Sequence, residues 1–350
     1  MNETRDTLLR EQAAFLARPP EALRQCRGRE LYETLSALGL THGQFLRALG
    51  TTLEEYCAAE LGVDLSRVTV ERFFQSDPAA RWLFPEIVRG AVLEGVRARP
   101  RHPELIFRDE PVTGAAVDLP RVVEDAGEEE LRTVAEGAAI PEATLRYGDR
   151  VFRLRKLGRG LLASYEATRR MSVDMLRLHL RRMGERLGLD LDARLAVLLA
   201  QGHPEYPDTA PQVLHTATPG TFTYDDLLAA YAQLRLGNGF TPTHLVCDAG
   251  TLCALMALEP LRNPLVSDFD RTGRWPSPLG ITLVPITGHP ATCFTLLDAR
   301  HAAVKLTEQD VLVENEKLIA RQWERICVTV VTDFAIAYEK ARVVVSTAAP

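Results

Sequence analysis

The sequence predicts an α+β protein, and three observations carry that reading. Residues 1–99 and 161–201 place apolar side chains at helical spacing. The stretch ending RVFRLRKLG (150–158) and the C-terminal runs ICVTVVTDFAIAY and ARVVVS show period-two alternation or β-branched residues without helix caps. Between them, 223–298 alternates a helix, a short apolar strand, a second helix and further strands. At 350 residues, 46% hydrophobic and 25% charged, the chain can hold two or three domains with proper cores.

Residues 1–99 read as short helices. Leu31, Leu35 and Leu38, then Phe45, Leu46 and Leu49, then Leu53 and Tyr56 recur at helical intervals. Gly39, Gly50 and Gly62 punctuate their ends. Residues 83–97 predict another helix with Pro85 in its first turn. LSALGLTHGQFLRALGTTLEEY has helix-turn-helix spacing, but the helix after Gly50 carries Glu54, Glu55 and Glu60, which phosphates would repel. Plain helix packing is the better reading.

Four prolines, at 100, 103, 111 and 120, keep 98–133 extended, and EDAGEEE (124–130) is a local acidic run. A strand signal over 132–135, a turn at Glu136-Gly137 and Pro141, and a returning strand over 144–157 predict a β-hairpin. In its return arm Phe152 and Leu154 alternate with Arg153 and Arg155. A helix follows, with Leu176, Leu180, Met183, Leu187, Leu191, Leu195 and Leu198 on one stripe. Continuous from 162 to 200 it would be about 58 Å long, with Gly184 and Gly188 the places for a bend or break. Its other face carries Arg169, Arg170, Arg177, Arg181 and Arg182, solvated or set against an acidic neighbour. After a Pro-rich loop at 203–219, Thr223 and Asp226 make a capping box, Gly237 closes that helix, and Asp248 caps the next. THLVCD, GITLVPI, TCFTLLD, AAVKL and VLVEN read as strands, followed by the two C-terminal runs.

The net charge is −6, and only four of the 41 basic residues are lysines. That balance argues against a broad nucleic-acid-coating surface. Six cysteines without a C-x-x-C pair argue against a zinc ribbon and fit core thiols in a reducing setting. The N-terminus has no apolar signal-peptide core, and no run of about 18 apolar residues predicts a membrane span. Catalytic motifs are lacking: no phosphate loop, H-E-x-x-H, G-x-S-x-G or dinucleotide glycine fingerprint. His203 and His289 sit in GHP tripeptides, turn signals before ligands. Asp268 and Asp270 could pair for acid–base or metal chemistry, though loop solvation is the plainer reading. No cofactor, metal or catalytic residue is assigned.

VAEGAAIPEATLRYGDRVFRLRKLGRGLLASYEATRRMSVDMLRLHLRRMGERLG resembles the extended loop and spine helix of tailed-phage major capsid proteins of the Hong Kong 97 type. DLLAAYAQLRLGNGFTPTHLVCDAGTLCALMAL resembles the core of that family's axial domain, and 280–346 its closing portion. The likeness covers roughly residues 100–346, in order. It implies an N-terminal helical region over 1–99, an N-terminal arm over 100–130 and an extended loop over 131–160. A peripheral domain would comprise 161–210 and 326–350, and an axial domain 211–325.

The implied function is structural and not enzymatic. Subunits would form the hexamers and pentamers of an icosahedral head around double-stranded DNA, without sequence-specific DNA contacts. Other implied partners are a portal, a scaffold or prohead protease, and decoration proteins. The protein would sit in the virion capsid, assembled in the host cytoplasm, with a procapsid that matures. In some members a helical N-terminal region is a built-in scaffold that is cut away; residues 1–99 would be such a scaffold-like segment or an accessory region kept as a permanent part of the shell. Some members cross-link through a loop lysine. RYGDRVF has none, so noncovalent assembly is expected. The expected inter-subunit contact sets Arg150, Arg153 and Arg155 against acidic surface such as Glu128, Glu129 and Glu130. An encapsulin-type compartment shell is the nearest rival. It usually lacks so long a helical N-terminal region. A cytosolic α/β enzyme using Asp268, Asp270 or a histidine is the rival from another class.

Overall fold

The structure, a computed structural model, describes residues 10–348 apart from 27, 39, 41, 61, 71, 74–79, 99, 115, 119–120, 124–132, 135, 137–143, 147–150 and 263–277. A helical stretch over 10–16 leads into α1 (Pro20–Gln25), α2 (Gly28–Ala37), α3 (His42–Leu49), α4 (Leu53–Glu60) and α5 (Ala80–Ala98). Gly50 and Gly62 adopt φ of +66° and +65° after α3 and α4, the left-handed conformation that closes a helix without a Cβ penalty. Thr52 and Glu55 form a reciprocal cap at the start of α4, at 3.0 and 3.2 Å. α5 starts five residues before Pro85, so that proline lies inside the helix and not in its first turn.

The short α6 (His102–Leu105) precedes β1 (Asp109–Pro111), β2 (Ala116–Asp118), β3 (Arg121–Val123), β4 (Thr144–Arg146) and β5 (Val151–Arg153). The expected hairpin is corrected here. β5 pairs antiparallel with β2, and β4 with β3, so the outgoing strands are β2 and β3. The described residues Thr133 and Val134 are not in a strand. The acidic run 124–130 follows β3 in sequence and lies outside the described residues.

The long helix is also corrected. Residues 161–164 stay extended at the end of β6 (Arg155–Ser164), and α7 (Tyr165–Arg170) is a separate turn. Ser164 caps it, accepting from Ala167 N at 3.2 Å, and Met171 is extended. Gly158 has room for β12 because it lacks a side chain. A Cβ there would lie 3.1 Å from Thr329 Cγ2. The spine helix, α8 (Val173–Gln201), then runs 29 residues, about 43 Å, unbroken through Gly184 and Gly188.

Beyond it come β7 (Gln212–His215), α9 (Tyr224–Ala232), β8 (His244–Cys247), α10 (Ala249–Met256), α11 (Glu259–Arg262), β9 (Thr282–Pro285) and β10 (Cys293–Leu297). The capping box of Thr223 and Asp226 is present, and Asp248 accepts from Gly250 N and Thr251 N at 3.0 and 2.8 Å. α9 continues through a wide turn to Gly237, as expected. AAVKL and VLVEN are one strand, β11 (Ala303–Leu318), followed by β12 (Trp323–Ile336) and β13 (Arg342–Ser346). One sheet is ordered β1-β11-β12-β6 and a second β7-β13-β10-β8-β9. β13, in a stretch expected to be peripheral, lies inside the five-stranded sheet, between β7 and β10.

The chain divides into two compact units. The first holds 1–99, 157–188 and 311–330 around one core that includes Phe45, Phe73, Ile87, Val92, Leu176, Leu180 and Val328. The second holds 100–156, 189–310 and 331–350. Its main core gathers Leu227, Leu245, Leu252, Phe294 and Val343 between α9, α10 and the five-stranded sheet.

Candidate assembly surfaces

The base of the reaching ribbon is built from an aromatic anchor. Alternation along β5 turns Phe152 inward, where it is buried with Val304, Leu306 and Ala335. Its ring meets His203 and Tyr206 with centroids 5.6 and 5.3 Å apart. Tyr206 Oη donates to Val151 O at 2.7 Å and accepts from Val151 N at 3.0 Å. The two bonds satisfy the Val151 backbone, since among the described residues β5 has no ladder partner besides β2. His203 is held as a turn residue, its backbone N donating to Thr209 Oγ1 at 2.7 Å. That turn exists because Gly202, at φ +79°, ends the spine helix.

Of the residues expected to make inter-subunit contact, Arg150, Glu128, Glu129 and Glu130 lie outside the described residues. Arg153 is exposed and has no ion-pair partner among the described residues. Arg155 Nε lies 3.1 Å from Asp333 Oδ2 in the same chain. Beside that pair a half-open cleft of about 330 Å³ is lined by Arg194, Val197, Leu198, His203 and Phe334. Arg194 is also without a charged partner among the described residues. The ribbon base therefore carries two arginines available to an acidic neighbour, Arg153 and Arg194. Sequence reasoning missed Arg194 and Tyr206, because neither breaks the pattern of its own segment.

The acidic neighbour expected for the spine helix is the chain's own N-terminal region. Arg177 pairs with Glu54 at 2.6 Å and Arg181 with Glu94 at 3.1 Å. Glu54 is one of the residues that spoke against a DNA-recognition helix. Its carboxylate has a definite use here.

The titratable groups elsewhere are structural. His289 is buried: its Nδ1 donates to Pro290 O (3.1 Å), the Nε2 of the neutral ring accepts from Thr295 Oγ1 (2.9 Å), and desolvation lowers its pKa to about 4. Burial would raise the Asp298 carboxyl, but hydrogen bonds from Arg300 and His301 outweigh it and hold the group below the usual carboxylate range. Burial pushes the Cys57, Cys247 and Cys293 thiols up, that of Cys247 to about 12, so these are inert core groups. Asp268 and Asp270 lie outside the described residues. Among the described residues no cluster of His, Cys, Asp or Glu could hold a metal, and no helix is long and apolar enough to cross a membrane.

No family sequence model matches the chain, and no curated protein sequence matches it. Solved structures do. Mycobacterium phage Che8 matches with a TM-score of 0.53 at 16% identity, over 71% of this chain and 92% of its own. The capsid of the cyanophage P-SCSP1u matches at 0.51 and 15% identity, over 72% of this chain and 88% of its own. The capsid of a native GTA particle matches at 0.54 and 12% identity, over 71% and 89%. The fold is the α+β fold of Hong Kong 97-type capsid proteins.

Proposed function

We propose that the chain is the major capsid protein of a tailed bacteriophage. It self-assembles into hexamers and pentamers that tile an icosahedral head around double-stranded DNA. The observation that carries this reading is the fold, shared with solved capsid subunits over about seven tenths of the chain. The ribbon fits the role. A two-stranded arm fixed at its base by Phe152 and Tyr206 is a lever for reaching a neighbour. Arg153 and Arg194 supply the charge that such a neighbour would meet. Portal, prohead protease and decoration proteins are the further partners of this reading.

The test is electron microscopy of the expressed full chain. Closed shells of uniform diameter are the expected result, and a small discrete oligomer would overturn the proposal. Particles from infected cells should protect double-stranded DNA from nuclease. Shells filled with an enzyme would instead mark an encapsulin-type compartment.

A further inference from the structure

We infer that residues 1–99 are a permanent domain of the subunit, a splint bound along the first half of the spine helix, and not a segment removed during assembly. This rests on the shell reading above, and its own observations come from the first compact unit alone.

The apolar faces of this region and of the spine helix are one core. Phe45, Tyr56, Phe73, Leu83, Ile87 and Val92 are buried together with Val173, Leu176 and Leu180. Val311, Ile326 and Val328, from β11 and β12, belong to the same cluster. Cutting away 1–99 would put those six side chains of the remainder in water. Exposing that much aliphatic surface costs an amount comparable with the whole stability of a domain.

Backbone contact is equally close. Gly95 of α5 meets the spine helix so tightly that a Cβ would lie 2.0 Å from Arg181 O. A Cβ on Gly184 would lie 2.1 Å from Val92 O, and one on Gly188 3.1 Å from Val96 O. Glycine inside a helix is destabilising relative to alanine, because it has more backbone freedom to lose. Two such residues four apart in the spine helix weaken it in isolation, yet they admit α5 against its backbone. The helix thus gives up intrinsic stability at the place where the N-terminal region restores it.

Chain crossings reinforce the seam. Val70 N donates to Met171 O at 3.1 Å and Val173 N to Val68 O at 3.0 Å, joining the loop after α4 to the start of the spine helix. Arg177–Glu54 and Arg181–Glu94 flank it. A removable scaffold would need a separable surface, and these contacts make none.

The deciding measurement is the intact mass of subunits from purified particles. The expected species retains residues 1–99. A subunit shortened by roughly its first 99 residues would overturn the proposal. If no particles form, the shell reading fails but the splint is still tested, on the soluble full chain nicked by limited proteolysis near residue 100. The two fragments should co-elute under native conditions. Release of a folded 100–350 fragment with an unchanged melting temperature would overturn it. A paired substitution reads the seam directly. Gly95→Ala should raise amide exchange over 173–188 at least tenfold, whereas Gly90→Ala, whose Cβ meets nothing within 4 Å, should leave it unchanged. Equal exchange in both variants would overturn the seam.

Discussion

Arg342 is fully buried, and its guanidinium does two jobs at one joint. Nε donates to Leu199 O at 3.0 Å, one of the last carbonyls of the spine helix, and a terminal nitrogen donates to Thr209 O. Desolvation lowers its pKa to about 10, still far above neutrality, so the charge persists. Arg342→Met would leave two buried carbonyls unsatisfied. A loss of about 2–4 kcal/mol in chemical denaturation is expected, since each orphaned group costs about 1–3 kcal/mol. Lysine should not rescue it, having no planar fork to reach both oxygens. His289 and His42 set the response to acid. Both are buried with pKa values lowered to about 4 by desolvation. The unfolded chain takes up these protons below about pH 6.5, while the native state refuses them until about pH 4. Stability should therefore fall as pH drops through that window, by up to about 3 kcal/mol for each histidine at about 1.36 kcal/mol per pKa unit. Denaturation midpoints between pH 7 and 4 check this, and His289→Gln should flatten the fall. Neither role was legible in the sequence. Arg342 stands in a β-branched run like any strand residue, and burial at that position is decided by β7 and β10 on either side of it.

At the scale of elements, local chemistry read true and distant pairing did not. The caps at Thr223 and Asp248 were visible because a cap and its partner lie within three residues. The ribbon was misread because β5 takes its partner from 116–118, more than thirty residues upstream, and no nearby pattern announces it. The start of the spine helix was misread because RGLLAS has helical composition. What keeps it extended is the approach of β12 at Gly158, again a distant element. The glycines of the spine suggested a break for the same reason: their partner, α5, lies some ninety residues away in sequence. The anchoring of the ribbon gives a prediction at this scale. Tyr206→Phe keeps the ring against Phe152 but removes both bonds to Val151. Amide exchange at Val151 should accelerate about five- to tenfold, as expected for about 1–1.4 kcal/mol, while the global melting temperature moves little.

For the whole molecule, the fold class and the order of elements from the ribbon to β13 were readable in the residues. The partition was not, because 311–330 leaves its neighbours in sequence to join the N-terminal helices. The assembly proposal makes two further predictions. Reversing charge with Arg153→Glu and Arg194→Glu should abolish or deform shells while the subunit stays folded by circular dichroism; Arg155 is left intact because it pairs with Asp333 of its own chain. Exposed pairs contribute only about 0.2–1 kcal/mol each, but that sum recurs at every interface of a shell. Normal particles from the double variant would exclude these two arginines as contacts. With a net charge of −6, isolated capsomers should bind DNA weakly. Filter binding across a salt series checks this, and a steep salt dependence with tight binding at low salt would contradict it.

The position of β13 bears on how the polypeptide is made. The strand is inserted between β7 and β10, parallel to the first and antiparallel to the second. Until residue 346 has left the ribosome, β7 has no neighbour and the sheet ends at β10. Synthesis proceeds from the N-terminus at about 5–20 residues per second, so the N-terminal helices have seconds to settle while this sheet waits for its last strand. A nascent chain therefore carries this sheet unfinished until residue 346 has emerged, with β7 held apart from the strands it will join.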